Sequence, residues 1–178
     1  MAFHPSLSTD ATLFDLFRAY PDKAEPLSKL GELLMRGTSP LTVAQRELLA
    51  AYVSGLNACG WCYGAHSAVA EIFGFDEKTV SALLEDVDTA DVDESMKPLL
   101  RYVRKLTETP SKMTPTDAQQ VLDAGWDGDA LHDAVFVCAL FNFMNRYVDG
   151  LGITADADYL QVVGQGLAEH GYAGAAPH

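Results

Sequence analysis

Glu47-Leu48-Leu49-Ala50-Ala51-Tyr52-Val53-Ser54-Gly55-Leu56-Asn57-Ala58-Cys59-Gly60-Trp61-Cys62-Tyr63-Gly64-Ala65-His66 is the stretch around which the rest of this chain organises. It does not alternate apolar and polar residues as a half-buried strand would, and a helix start precedes it: Thr42-Val43-Ala44-Gln45 has the form of a capping box. Asn57 suits the left-handed position that ends a helix, and a second helix begins near Cys59 and stops at Gly74. The reading is an antiparallel helical hairpin. The small residues Ala50, Ala51, Ser54, Gly64, Ala65 and Ala68 are expected to let its two arms approach closely.

Working outward, caps and breakers divide the remainder into further helices. Ser8, Thr9 and Asp10 are cap candidates for a helix over 11–20, ended by Pro21, and Pro26 opens another that runs to Arg36. Asp76 caps a helix to Glu85; one beginning near Pro98 ends by Thr109; Thr114-Pro115-Thr116-Asp117 opens one to Ala124. The longest apolar helix runs from Ala130 to about Val148, and a last one spans roughly 155–167. The acidic run 85–94 reads as a solvated loop and the best candidate linker. Gly171 to His178 reads as a small-residue tail expected to fray. No strand is predicted, so the fold class is all-α, a single domain over 1–178.

The chain has 178 residues with 12 Lys plus Arg against 25 Asp plus Glu, a net charge of -13 and a pI near 4.5. That balance lacks the basic face nucleic acid requires and disfavours an anionic membrane surface, and no apolar run approaches the ~18 residues of a membrane span. Met1 to Asp10 lacks the pattern of a secretory signal, so the cytoplasm is the expected compartment, where the three cysteines stay as thiols.

Two of those thiols carry the chemistry. Residues three and four apart share a helix face, so Cys59, Cys62 and His66 form one line. Cys59 stands near a helix N-terminus, where free N–H groups favour a thiolate. In an antiparallel hairpin turning at Leu56 and Asn57, residues level with each other have numbers adding to about 113, as Glu47 and His66 do. A carboxylate beside an imidazole orients it and raises its basicity. A dithiol with an attached base can reduce a peroxide, one thiolate taking the oxygen and the other closing a disulfide. A thioredoxin-like site would need a strand-to-helix junction that is missing here.

Glu47, Cys59, Cys62 and His66, at spacings of twelve, three and four, resemble the alkylhydroperoxidase D (AhpD)-like core of the carboxymuconolactone decarboxylase superfamily. The segment Phe141-Asn142-Phe143-Met144-Asn145-Arg146-Tyr147-Val148-Asp149-Gly150-Leu151-Gly152 is similar to the tail of its peroxidase-related branch. The likeness runs from about Leu27 to Ile153. It implies an AhpD-like helical bundle that assembles as a homo-oligomer and reduces hydrogen peroxide or small organic hydroperoxides. In that reading Cys62 is the peroxidatic thiol, Cys59 the resolving thiol, and Glu47 and His66 the proton relay. An external dithiol, protein or lipoyl-type, restores the reduced state, and no cofactor or metal is expected. The chain departs from alkylhydroperoxidase D in having Gly60-Trp61 where that protein has a histidine between the cysteines. True carboxymuconolactone decarboxylases lack the cysteine pair, which argues against that reaction.

Blander readings stand beside this one. Cys59 and Cys62 could be packing cysteines, or, with His66 and either Cys138 or Glu47, ligands of a structural zinc in a redox-sensing or interaction module. The scaffold could also serve another small-molecule reaction. Cys138, in an apolar run, reads as a buried inert thiol. Asn142, Asn145, Arg146 and Asp149 form a polar stripe suited to an oligomer contact, a pocket wall or a solvated face. Trp61 and Tyr63 are candidate walls of an apolar access pocket or, equally, core-packing residues. His4, His132, His170 and His178 have no informative context.

Overall fold

The capping box at Thr42 is in place: its hydroxyl accepts from the Gln45 N–H at 3.1 Å, and Gln45 Oε1 accepts the Thr42 N–H at 2.9 Å. From it rises α3 (Val43–Leu56), which turns back into α4 (Gly60–Ile72). The computed structural model describes residues 2–173. Around the hairpin it arranges α1 (Leu13–Ala19), α2 (Pro21–Arg36), α5 (Glu77–Glu85), α6 (Met96–Glu108), a 3-10 turn (Pro110–Lys112), α7 (Pro115–Asp123), α8 (Gly128–Gly150) and α9 (Ala157–His170). Among the described residues there is no strand, so the all-α reading holds.

The ends differ from expectation in instructive ways. Thr12, not Ser8 to Asp10, caps α1, because Asp15 completes a reciprocal box with it at 2.8 and 3.2 Å. Pro21 ends α1 and also opens α2, so Pro26 is interior rather than initial. That is tolerated because Asp22, whose carbonyl loses a donor to the proline, is exposed to water. At the hairpin turn Asn57 stays right-handed (φ -83°) and Ala58 takes the left-handed conformation instead (φ 56°). The Asn57 side chain is occupied elsewhere, donating to Asn142 Oδ1 at 3.2 Å and Asn145 Oδ1 at 2.9 Å.

α3 lies at the centre, packed by α4, α5, α6 and α8, and every residue from Leu48 to Ser54 is fully buried. Burying each large apolar side chain contributes roughly 1.5–3 kcal/mol, so this helix anchors the larger core cluster. A second cluster forms where α4 meets α1 and α9, and both Cys59 and Cys62 belong to it. The α3–α4 contact is the most extensive among the described residues, and the small residues of α4 serve this second contact as well: a Cβ on Gly64 would lie 2.6 Å from Leu160 of α9, and one on Gly164 of α9 would lie 2.6 Å from Ala68. The acidic run 85–94 is not a free linker, since Val87 and Ala90 are buried in the larger core and Lys97 Nζ donates to the Asp88 carbonyl at 2.9 Å.

Candidate active site

His66 and Glu47 meet across the hairpin, as the register argument predicts, with Nδ1 and Oε2 2.8 Å apart. With Glu47 ionised, Oε2 only accepts, so Nδ1 carries the proton of this bond, and whenever the ring is neutral Nε2 is its acceptor. The edge of Phe141 (α8) meets the imidazole at 4.5 Å between centroids, which fixes the ring plane. Glu47 is completely buried. Burial works to raise its carboxyl, but the His66 hydrogen bond and charge, followed by Arg36, outweigh that and hold it below the ordinary value of 4.5.

Two partners of Glu47 carry no signal in the sequence. Arg36, the last residue of α2, donates through Nη1 to Glu47 Oε1 at 2.5 Å and through Nη2 to the Leu167 carbonyl of α9 at 3.0 Å. The Tyr172 hydroxyl donates to the same Oε1 at 3.0 Å. Tyr172 lies in the tail expected to fray. Residues 171–173 are instead tied down, and the remainder of that expectation, 174–178, falls outside the described residues. The carboxylate therefore sits between a guanidinium, a phenol and an imidazole.

The two cysteines are free, fully buried, and electrostatically unequal. Cys59 is the N-cap of α4, and its thiol is held below its usual range first by a hydrogen bond from the Cys62 thiol and then, against desolvation, by the Cys62 amide. The sulfur falls outside ideal cap geometry, so that amide acts as a nearby dipole. Cys62 is pushed well above its usual range, because it donates to Cys59 and is desolvated; Asn145 acts in the opposite sense by hydrogen bonding to its sulfur. A negative charge on Asp149 raises both thiols. Cys59 is thus the thiolate-prone sulfur, while Cys62 needs a base.

Cys62 and His66 together line an apolar cavity of about 70 Å³ between α1, α2, α4, α8 and α9, bounded also by Trp61, Phe14 and Tyr172. At about 10–15 Å³ for each water centre this holds a handful of waters or one small organic molecule. The Trp61 indole N–H is buried in this wall and, among the described residues, has no partner. Cys59 lies instead beneath a separate, shallow depression bordered by Ala58, Gly60, Tyr63 and Leu84. Tyr63 therefore borders the Cys59 side and packs against the larger core, the second of the two roles open to it.

The polar stripe of α8 is divided, with Asn145 turned inward, Asn142 half-buried, and Arg146 and Asp149 exposed. Asn145 is buried and donates to Ser54 Oγ at 3.0 Å, and Arg146 ties back to Asn142 Oδ1 at 2.8 Å. Cys138 is buried as expected, 3.3 Å from Thr107 Oγ1, and desolvation raises its thiol. Cys138 and Glu47 are thus both engaged elsewhere, and no group of three or more His, Cys, Asp and Glu among the described residues is arranged to hold a metal ion.

Fold and site together define a helical bundle with a buried Cys-x-x-Cys pair attached to a carboxylate–imidazole couple. Residues 21–104, which include all four of those side chains, match the model of the carboxymuconolactone decarboxylase family. Two solved structures share the fold. One, an uncharacterized peroxidase-related protein from Silicibacter sp. TM1040, is 23% identical with a TM-score of 0.77, over 83% of this chain and 78% of that one. The other, titled as an alkylhydroperoxidase AhpD core and uncharacterized peroxidase-related protein from Ralstonia eutropha JMP134, is 20% identical with a TM-score of 0.76, over 84% and 78%. No curated protein matches the chain.

Proposed function

We propose that this protein is a thiol-dependent peroxidase that reduces hydrogen peroxide or a small organic hydroperoxide through a Cys59–Cys62 dithiol/disulfide cycle. The observation that carries the reading is that Cys62 shares its apolar cavity with His66, whose other nitrogen is bonded to the buried Glu47 at 2.8 Å.

His66 Nε2 takes the Cys62 proton, and the Cys62 thiolate attacks the O–O bond of ROOH to give Cys62–SOH and RO⁻. The imidazolium, stabilised by Glu47, returns the proton and ROH leaves. Cys59, the more acidic thiol, then attacks the sulfenic sulfur; the S–S bond forms and hydroxide leaves as water after taking a proton. The sum is two thiols and ROOH giving a disulfide, ROH and water. The unpartnered Trp61 N–H supplies a donor for a substrate oxygen. An external dithiol, protein or lipoyl-type, reduces the disulfide, with the depression at Cys59 as its approach. We assign the protein to a homo-oligomer on the family resemblance.

Steady-state peroxide consumption with dithiol donors tests the reading. Cys62→Ser is expected to abolish turnover, and Cys59→Ser to stall after one equivalent with a trappable sulfenic acid at Cys62. Intact thiols in the wild-type protein after excess peroxide would sink the proposal.

A further inference from the structure

Tyr172 lies beyond the last helix, yet it is held at several points. The N–H groups of Tyr172 and Ala173 both donate to Glu32 Oε2 of α2, at 2.7 and 3.2 Å. The Tyr172 hydroxyl reaches Glu47 Oε1, and the Arg36 guanidinium lies over its ring, 5.1 Å from the centroid. The ring rests on the bare backbone of Gly31, where a Cβ would come within 3.0 Å of it. Gly171 supplies the left-handed turn into this clasp (φ 67°), and a Cβ there would collide with the Glu32 carboxylate. α2 is therefore shaped on one side to receive three residues of the C-terminal segment.

What the clasp holds in place is a phenol ring that bounds the small cavity shared by Cys62 and His66. The ring stands nearly parallel to the imidazole, at 10° and 6.1 Å between centroids. Without the ring, the cavity would open by a phenol's volume toward Gly31. We propose that Tyr172 is a specificity-determining residue: its ring is the wall that restricts Cys62 to small reagents, and the Glu32 clasp keeps that wall closed. For peroxides the inference rests on the function proposed above; for simple thiol reagents it does not.

The test uses the full chain and follows Cys62 modification by mass spectrometry with a small and a bulky reagent of the same chemistry, methyl and benzyl methanethiosulfonate. In the wild type the small reagent is expected to react much faster. Tyr172→Ala should raise the bulky-to-small rate ratio by about tenfold or more, in line with the discrimination a shaped apolar pocket gives. Tyr172→Phe, which keeps the ring, should leave the ratio at the wild-type value. Glu32→Gln, which weakens the clasp without touching the wall, should move the ratio in the same direction by less, and it decides the matter if Tyr172→Ala does not fold. A wild type that takes both reagents equally well overturns the inference, and so does a ratio unchanged in folded Tyr172→Ala or, failing that variant, in Glu32→Gln.

A parallel arm compares hydrogen peroxide with cumene hydroperoxide and separates the two claims. No peroxide consumption, but a thiol-reagent ratio relieved in Tyr172→Ala, overturns the peroxidase reading and leaves the wall standing. Peroxide consumption with no change in the size ratio does the reverse.

Discussion

Glu47 has no exposed surface, and its charge is borne only because Arg36, Tyr172 and His66 all address it. Removing one member of a buried pair strands the other, at a cost of about 3–5 kcal/mol. Glu47→Gln is accordingly expected to lower stability by about that much at neutral pH in urea titrations. Because the folded carboxyl lies below its ordinary value of 4.5, its contribution is complete above that pH and is lost as pH falls through the lower, folded value. The gap between wild type and variant should therefore narrow in acid, and a constant gap down to pH 3 would contradict the assignment. Asn145 offers a second check, since its hydrogen bond favours the Cys62 thiolate. Asn145→Ala should move the pH midpoint of Cys62 alkylation upward. Of these residues, the register argument found Glu47 and His66, whereas Arg36 looks like any basic residue at a helix end and Tyr172 like part of a tail.

At the level of elements, the hairpin turn places a left-handed conformation on Ala58, an exposed residue with a Cβ. That conformation costs a non-glycine residue roughly 1–2 kcal/mol, partly offset in a glycine variant by the greater freedom of its unfolded chain. Ala58→Gly should raise stability by about 0.5–1 kcal/mol, read as a shift in the urea midpoint at constant slope. The α4–α9 contact gives the opposite case: a methyl at Gly164 meets Ala68 Cβ at 2.6 Å and the Ala65 carbonyl at 3.1 Å. Gly164→Ala should cost about 1–3 kcal/mol as the helices are forced apart. The helices themselves were legible because caps and breakers act within a turn or so of chain. That the small residues of α4 also admit α9 was not, since a stripe of Gly and Ala is compatible with any close neighbour.

Across the described residues, α3 is the most deeply buried helix, while α1 and the 86–95 connection lie nearer the periphery. Hydrogen exchange should follow this order, with amides of Leu49 to Val53 opening only on global unfolding and those of α1 exchanging earlier. Equal protection across both would contradict a single central helix. The charge of -13 says little about the site, where Arg36, Glu47 and the thiols set the local field. The helices, the hairpin register and the alignment of Cys59, Cys62 and His66 follow from local rules, because 3.6 residues per turn and a short turn leave few alternatives. The remainder of the site comes from contacts such as Arg36 to Leu167 and Glu47 to Tyr172, separated by 131 and 125 residues. No local rule reaches that far: only the packing of α2 and α9 against the hairpin brings those groups to one carboxylate, and with them the wall of the cavity.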